Sequence, residues 1–254
     1  MKALALLATL MLATLLPAPA AEPDTRVFEM RTYHTAPGKM EALHKRFRDH
    51  TLGLFQKHAI TSLGYWVPLE NADNKLVFVL AYPSRDAREA SWKAFMGDPI
   101  WQKAFAESEE AGKLVTKVDQ LFMTATDFSP AVTGVPGKEP RVFELRTYTT
   151  TPGNLPLLHA RFRDHTCGLF AKHGMTNLWY WQLAKDQPGT ENTLIYFLAH
   201  ASTDAAKASF GGFRTDADWI AAKAASEAKG GGSLTVPDGV KSVFMRATDY
   251  SPLQ

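Results

Sequence analysis

The phrase RFRDHTLGLFQKH at residues 46–58 returns as RFRDHTCGLFAKH at 161–173, 115 positions later, and the echo runs through most of the chain. RVFEMRTY (26–33) is answered by RVFELRTY (141–148), Pro37-Gly38 by Pro152-Gly153, and Tyr65-Trp66 by Tyr180-Trp181, all at that same offset. LVFVLAY (76–82) then aligns with LIYFLAH (194–200) at an offset of 118, and ATDFSP (125–130) with ATDYSP (247–252) at 122, so the second copy carries small insertions. A period above a hundred residues exceeds the roughly 20 to 50 residues of a solenoid unit. Each copy is therefore domain-sized and long enough for its own core, and duplicated halves persist when they also bury surface against each other.

Residues 1–21 read as a secretory signal peptide: a cation at Lys2, an apolar run of about 14 residues, and a small-residue site at Ala18-Pro19-Ala20. The run is shorter than the roughly 20 residues of a membrane span, and no cysteine marks a lipid anchor. The mature chain is thus expected outside the cytoplasm, in a bacterial periplasm, with no membrane-spanning segment. Its single cysteine, Cys167, stands where the first copy has Leu52, so it reads as apolar filler and no intramolecular disulfide can form. Loss of Lys2 takes the formal charge from +2 to +1, and with no long basic run, nucleic acid is not an expected partner.

Within each copy the hydrophobic period changes in a fixed order. Residues 27–34 alternate as a strand, Ala36-Pro37-Gly38 make a turn, and 39–58 has helical spacing. Residues 60–69 and 76–82 read as a hairpin across a polar turn at Asn71–Asn74. Ser84 can cap a helix over 85–96, Asp98-Pro99 opens another through about Ser108, and 118–126 is a closing strand. The order βαββαβ predicts an α+β fold of two tandem ferredoxin-like repeats, at 22–128 and 141–254, joined by a Pro- and Gly-rich linker at 129–140. Each repeat leaves one sheet face bare, and two such faces packed together cover each other.

The strand phrases FEMRTY and FELRTY, the P-G that follows, the long helix ending in K-H and the Y-W strand resemble the NIPSNAP family. The resemblance covers both copies, nearly all of the mature chain. It implies a dimeric α+β barrel, here formed within one chain. The wider superfamily includes haem-degrading and cofactor-free monooxygenases and chlorite dismutases, but none of their catalytic residues can be matched here position by position. The resemblance therefore implies a fold far more strongly than a reaction.

On the first strand of each copy, alternation separates Phe28 and Met30 from Glu29, Arg31 and Tyr33. With the apolar set facing the helices, Glu29, Arg31 and Tyr33, together with Glu144, Arg146 and Tyr148, are expected between the two sheets. There they form either an ion-pair network or a clamp for an anionic or polar ligand. On the long helix, Met40, Leu43, Phe47 and Leu54 define the buried stripe at 100° per residue, with His58 near its middle and His44 and His50 at its margins. His159, His165 and His173 repeat the pattern. His50 and His165, at the edge of an apolar groove, are the candidate acid, base or axial ligand to haem. Their spacing is not that of a zinc site, and no metal is expected. Asp49 points about 100° away from His50 and should pair with a surface cation instead. Serine-hydrolase, Walker and dinucleotide-binding fingerprints are all missing from the sequence.

Aromatic residues are the remaining signal. Trp66 and Trp181, with Trp92, Trp101 and their counterparts, are candidates to line a pocket between helix and sheet that suits a flat apolar ligand. Tyr82 stands opposite His200, and His34 opposite Thr149; such asymmetries should mark the working pocket if there is only one. Two functions stay open: a binder or cofactor-free or haem-linked oxidoreductase for a small apolar or aromatic molecule, and a non-catalytic scaffold or interaction module. The sequence identifies neither the ligand nor any assembly into larger oligomers.

Overall fold

The computed structural model describes residues 24–131 and 141–253. The expected signal peptide and residues 132–140 of the expected linker lie outside the described residues. The first copy runs β1 (Val27–Thr35), α1 (Met40–Arg46), a π-helical turn (Phe47–Thr51), α2 (Leu52–Lys57), β2 (Thr61–Pro68), β3 (Lys75–Tyr82), α3 (Arg85–Met96), α4 (Pro99–Glu109) and β4 (Val115–Ala125). The second repeats this as β5 (Val142–Thr150), α5 (Leu155–Arg161), a π turn (Phe162–Thr166), α6 (Cys167–Lys172), β6 (Thr176–Leu183), β7 (Thr193–His200), α7 (Thr203–Thr215), α8 (Ala217–Gly230) and β8 (Thr235–Ala247).

The predicted caps are in place. The Ser84 hydroxyl accepts from the Ala87 amide at 3.1 Å, and the Asp98 carboxylate from the Ile100 amide at 2.9 Å, with Pro99 in the first turn. Both groups satisfy amides that a helix start leaves without partners.

All eight strands close one antiparallel barrel in the order β1-β3-β2-β8-β5-β7-β6-β4. Within each half the order is that of a ferredoxin-like sheet. Two short seams join the halves: Trp66–Pro68 of β2 against Met245–Ala247 of β8, and Met123–Ala125 of β4 against Trp181–Leu183 of β6. Closure removes the free edges that two separate sheets would present. The turns after β4 and β8 then cross over. Phe128 packs into the helix–sheet core of the second half and Tyr250 into that of the first.

Contrary to the sequence-based expectation, Phe28 and Met30 point into the barrel, while Glu29, Arg31 and Tyr33 face the helices. Trp66 and Trp181 lie inside the barrel with Trp179, Phe143 and Phe197, not in a helix–sheet pocket. An eight-stranded barrel leaves an interior just wide enough for side chains to fill it. Strands wall it on all sides, so a charge there would find no partner, whereas the helix layer supplies Arg88 from α3. The interior is filled asymmetrically. Gly64 on β2 corresponds to Trp179 on β6, and a side chain at Gly64 would collide with the Trp66 indole folded over it. Trp179 occupies the matching space, 6.1 Å from Trp66 between ring centroids.

The long helix also departs from the 100° wheel. In each copy FRDHT forms a π turn, and the Thr51 and Thr166 hydroxyls donate to the Arg46 and Arg161 carbonyls at 3.1 Å. The wider turn brings Arg46, Phe47, Thr51 and Phe55 to one inward face. Leu43 and Leu54 remain buried as expected, and Asp49 pairs with Lys45.

Candidate ligand pocket

A cavity of about 350 Å³ lies in the first half between β1, the start of β4, the helical run 40–57, α3 and α4. Phe47, Phe55, Trp92, Phe95 and Trp101 form its aromatic walls, and Met96, Phe105 and Val118 are partly exposed at its margin. Arg31, Tyr33, Arg46, Thr51, Glu109 and Lys113 are the polar residues on its lining.

Behind Arg31 stands a buried carboxylate cage. Glu29 accepts from Arg31 Nη1 at 2.5 Å, from Arg88 Nη2 at 2.9 Å and Nε at 3.1 Å, and from the Tyr82 hydroxyl at 3.0 Å. Burial pushes this carboxyl up, and Arg88 and Arg31 outweigh it, holding it below the usual glutamate range. The Tyr82 oxygen in turn accepts from the Trp92 indole N–H at 2.7 Å. The same cage thus fixes a cavity wall. Trp92 also lies flat against Arg31, 4.4 Å from guanidinium carbon to ring centroid. Arg46 pairs with Glu109 at 3.0 Å and sits 5.4 Å from the Trp101 ring.

Two of these donors are unfinished. Arg31 and Arg46 are 8 % and 5 % exposed, yet the Nε of each is buried without a hydrogen-bond partner. In the second half, Arg146 Nε donates to the Tyr196 hydroxyl at 2.9 Å. The first half has Phe78 at the position of Tyr196, which has no hydroxyl to offer Arg31. Arg31 is therefore unsaturated because of a substitution confined to one copy.

Glu144 is satisfied differently again, by Arg146 at 2.5 Å, Ser242 at 2.5 Å and His200 at 3.0 Å. Burial raises its carboxyl, and His200 and Arg146 lead the groups that bring it below the usual range. Arg146 also donates to Tyr148 at 3.2 Å. Phe210 takes the place of Trp92, so no indole N–H ties the helix to this cage.

Of the sequence candidates, Arg31 and Tyr33 thus reach the pocket, Glu29 supports it from behind, and Glu144, Arg146 and Tyr148 form the counterpart cage, in which His200 Nδ1 is buried without a partner, as is the Nε of Arg161, the counterpart of Arg46. His50 and His165 do not line the pocket. The π turn carries them to the surface side, His50 half-buried and His165 exposed at a shallow groove with Asp164 and Lys172. His58 and His173 bond to the capping carboxylates of Asp98 and Asp216 at 2.8 and 2.7 Å, and His44 to the Tyr250 hydroxyl at 2.8 Å. Of the two asymmetries, Tyr82 belongs to the cage, whereas His34 pairs with exposed Asp119. Cys167 packs against the core with its thiol pushed up to about 11 by burial. Arg46 was missed by sequence reading. Its signal was an arginine repeated at 161, four residues before each histidine and beside the apolar stripe.

Among the described residues no helix is long and apolar enough to cross a membrane, and no group of three or more His, Cys, Asp or Glu converges. The chain is similar to the NipSnap homolog of Dictyostelium discoideum, with 25 % identity over 133 residues that cover 52 % of each chain. It therefore spans about half the length of that curated relative. Among solved structures, a candidate monooxygenase from Fusobacterium nucleatum aligns at a TM-score of 0.57 with 10 % identity, covering 88 % of this chain and 92 % of that one. An anthrone oxidase-like protein aligns at 0.54 with 12 % identity, covering 90 % and 94 %. At such identities these neighbours show the shared dimeric α+β barrel fold and no more. The NIPSNAP family model matches twice, over residues 28–130 and 143–252, which together take in most of the chain, and the chain belongs to the NIPSNAP family as a tandem pair of its domains.

Proposed function

We propose that the protein binds a small, largely apolar or aromatic molecule in the helix–sheet cavity of its first half. The observation that carries this reading is the cavity itself. It holds about 350 Å³ walled mainly by aromatic rings, with a few polar side chains among them, which is the usual composition of a small-molecule site. The signal-peptide pattern at 1–21 supports placing this binding in the periplasm. The chemistry the reading admits is oxidation or oxygenation without a bound cofactor, in keeping with the activities for which the two fold neighbours are described. Haem does not fit. The histidines that would serve as its axial ligands, His50 and His165, are away from the cavity, and its lining holds neither histidine nor cysteine.

Native mass spectrometry of the full mature chain, purified from its own periplasm, tests the reading. A retained small molecule that is lost in Val118→Trp, where a bulky ring is placed at the cavity margin, is the expected result. A bare mass, with no uptake of naphthalene-based probes, would overturn it and favour the scaffold reading.

A further inference from the structure

We infer that the ligand of this cavity is a neutral, lipid-soluble molecule with an apolar tail, whose body lies among the aromatic walls and whose tail leaves across Met96, Phe105 and Val118. The inference rests on the pocket reading above and adds to it a charge and a shape. The arginines of the lining are already matched within the protein. Arg31 pairs with Glu29 at 2.5 Å and Arg46 with Glu109 at 3.0 Å. Arg88, which shares Glu29, has Glu89 as well, at 3.0 Å. The Thr51 hydroxyl is engaged by the Arg46 carbonyl, and Lys113 is exposed and keeps its water. An anionic ligand would lose its hydration on entry without meeting an unpaired guanidinium in exchange, a loss that a neutral molecule avoids.

The mouth sets the shape. Met96, Phe105 and Val118 line the cavity and also reach solvent, at 51 %, 43 % and 42 % exposed. Apolar surface therefore leads from the aromatic walls to the outside, and a tail lying on it gains about fourfold in affinity for each methylene removed from water. The second half supplies the internal control. Met96 is replaced there by Arg214 and Phe105 by Lys223, while Val118 has a valine as counterpart, Val240. The fold thus accepts cations at two of these three positions, and the apolar rim of the first half is a property of that copy.

The experiment is equilibrium titration of the full mature chain, followed by probe fluorescence, with 2-naphthoate, its methyl ester and its hexyl ester. The methyl ester should bind at least about tenfold more tightly than the carboxylate, which must give up its hydration. The hexyl ester should gain at least about tenfold again, as expected from two covered methylenes. The double variant Met96→Arg, Phe105→Lys, which copies the second half at two exposed positions, should abolish that second gain and leave the affinity of the methyl ester in place. A carboxylate that binds as tightly as the methyl ester would overturn the neutral assignment and leave the pocket reading standing. A hexyl gain that survives in the double variant would remove the tail from the mouth. If none of the three probes binds, the pocket reading and this inference fall together. The wild-type comparison decides charge and chain length even if the variant fails to fold.

Discussion

The two halves share an order of elements, a π turn and a buried glutamate, yet each solves the glutamate in its own way. In the first half Glu29 is held by two guanidiniums and a phenol. In the second, Glu144 has one guanidinium, an imidazole and a serine hydroxyl. Arg88 is replaced by Ala206, Tyr82 by His200, Gln120 by Ser242 and Phe78 by Tyr196. The substitutions are mutually consistent. Where one copy gives up a cation it gains other donors, so the carboxylate is never abandoned. What differs is what is left over. In the second half Arg146 Nε donates to the Tyr196 hydroxyl, whereas in the first Arg31 Nε is buried against Phe78 without a partner. Folding requires only that a buried charge be partnered, so the choice of partner is available to function.

The largest effect should come from breaking the cage on the more cationic side. Glu29→Gln leaves Arg31 without a counter-charge and Arg88 with only its pair to exposed Glu89, and is expected to cost about 3–5 kcal/mol in urea unfolding. Glu144→Gln strands one guanidinium that keeps its two tyrosine contacts, and should cost less, about 1–3 kcal/mol. Equal losses would mean that the asymmetry of partners carries no energetic weight. Inside the barrel, Gly64→Ala pushes a methyl into the Trp66 ring and should destabilise by about 1–3 kcal/mol. Gly53→Ala in α2 has open space around its new methyl and should stabilise by about 0.5–1 kcal/mol, so the two changes differ in sign.

The pH dependence separates two groups of residues. Burial pushes the His44 and His159 imidazoles below their ordinary value of 6.5. The unfolded chain takes up these protons first, so stability present above about pH 6.5 is lost as pH falls through the depressed values. The carboxyls of Glu29 and Glu144 are also depressed, and their contribution is lost only below their ordinary 4.5. The double variant His44→Gln, His159→Gln should therefore flatten the decline of Tm between pH 6.5 and 5 and leave the acid limb below 4.5 in place. A decline unchanged by the double variant would assign that window to other groups. A comparably small effect is expected at the crossing tails. Tyr250→Phe removes the bond to His44 and makes the first half resemble the second, where Phe128 stands, at a cost of about 0.5–1.5 kcal/mol by denaturant midpoint.

Much of the architecture was legible because it depends on local pattern. The repeat fixed two equal units, alternation and helical spacing gave βαββαβ, and Ser84, Asp98 and Pro99 marked helix starts that the structure keeps. The site was less legible, for two particular reasons. Alternation along β1 separates Glu29 and Arg31 from Phe28 and Met30 but does not say which set faces the partner sheet. That depends on the width of the closed barrel and on Arg88, more than fifty residues away. Second, His50 was placed on a wheel of constant pitch, and the π turn within FRDHT changes the pitch at that point. The change turns Arg46 and Thr51 inward and His50 out.

The sequence by itself determined the duplication, the element order, the family and the presence of one conserved-in-copy set of charges on each first strand, because periodicity and repetition are properties of neighbouring residues. Only the tertiary structure decided which face those charges occupy, which residues wall the cavity of the first half, and which buried donors are left without a partner. These outcomes depend on residues far apart in the chain, Arg31 with Phe78 and Arg88, Gly64 with Trp179, and Tyr250 with His44. Whether a buried polar atom is satisfied is settled by what closure of the barrel brings within hydrogen-bonding distance of it.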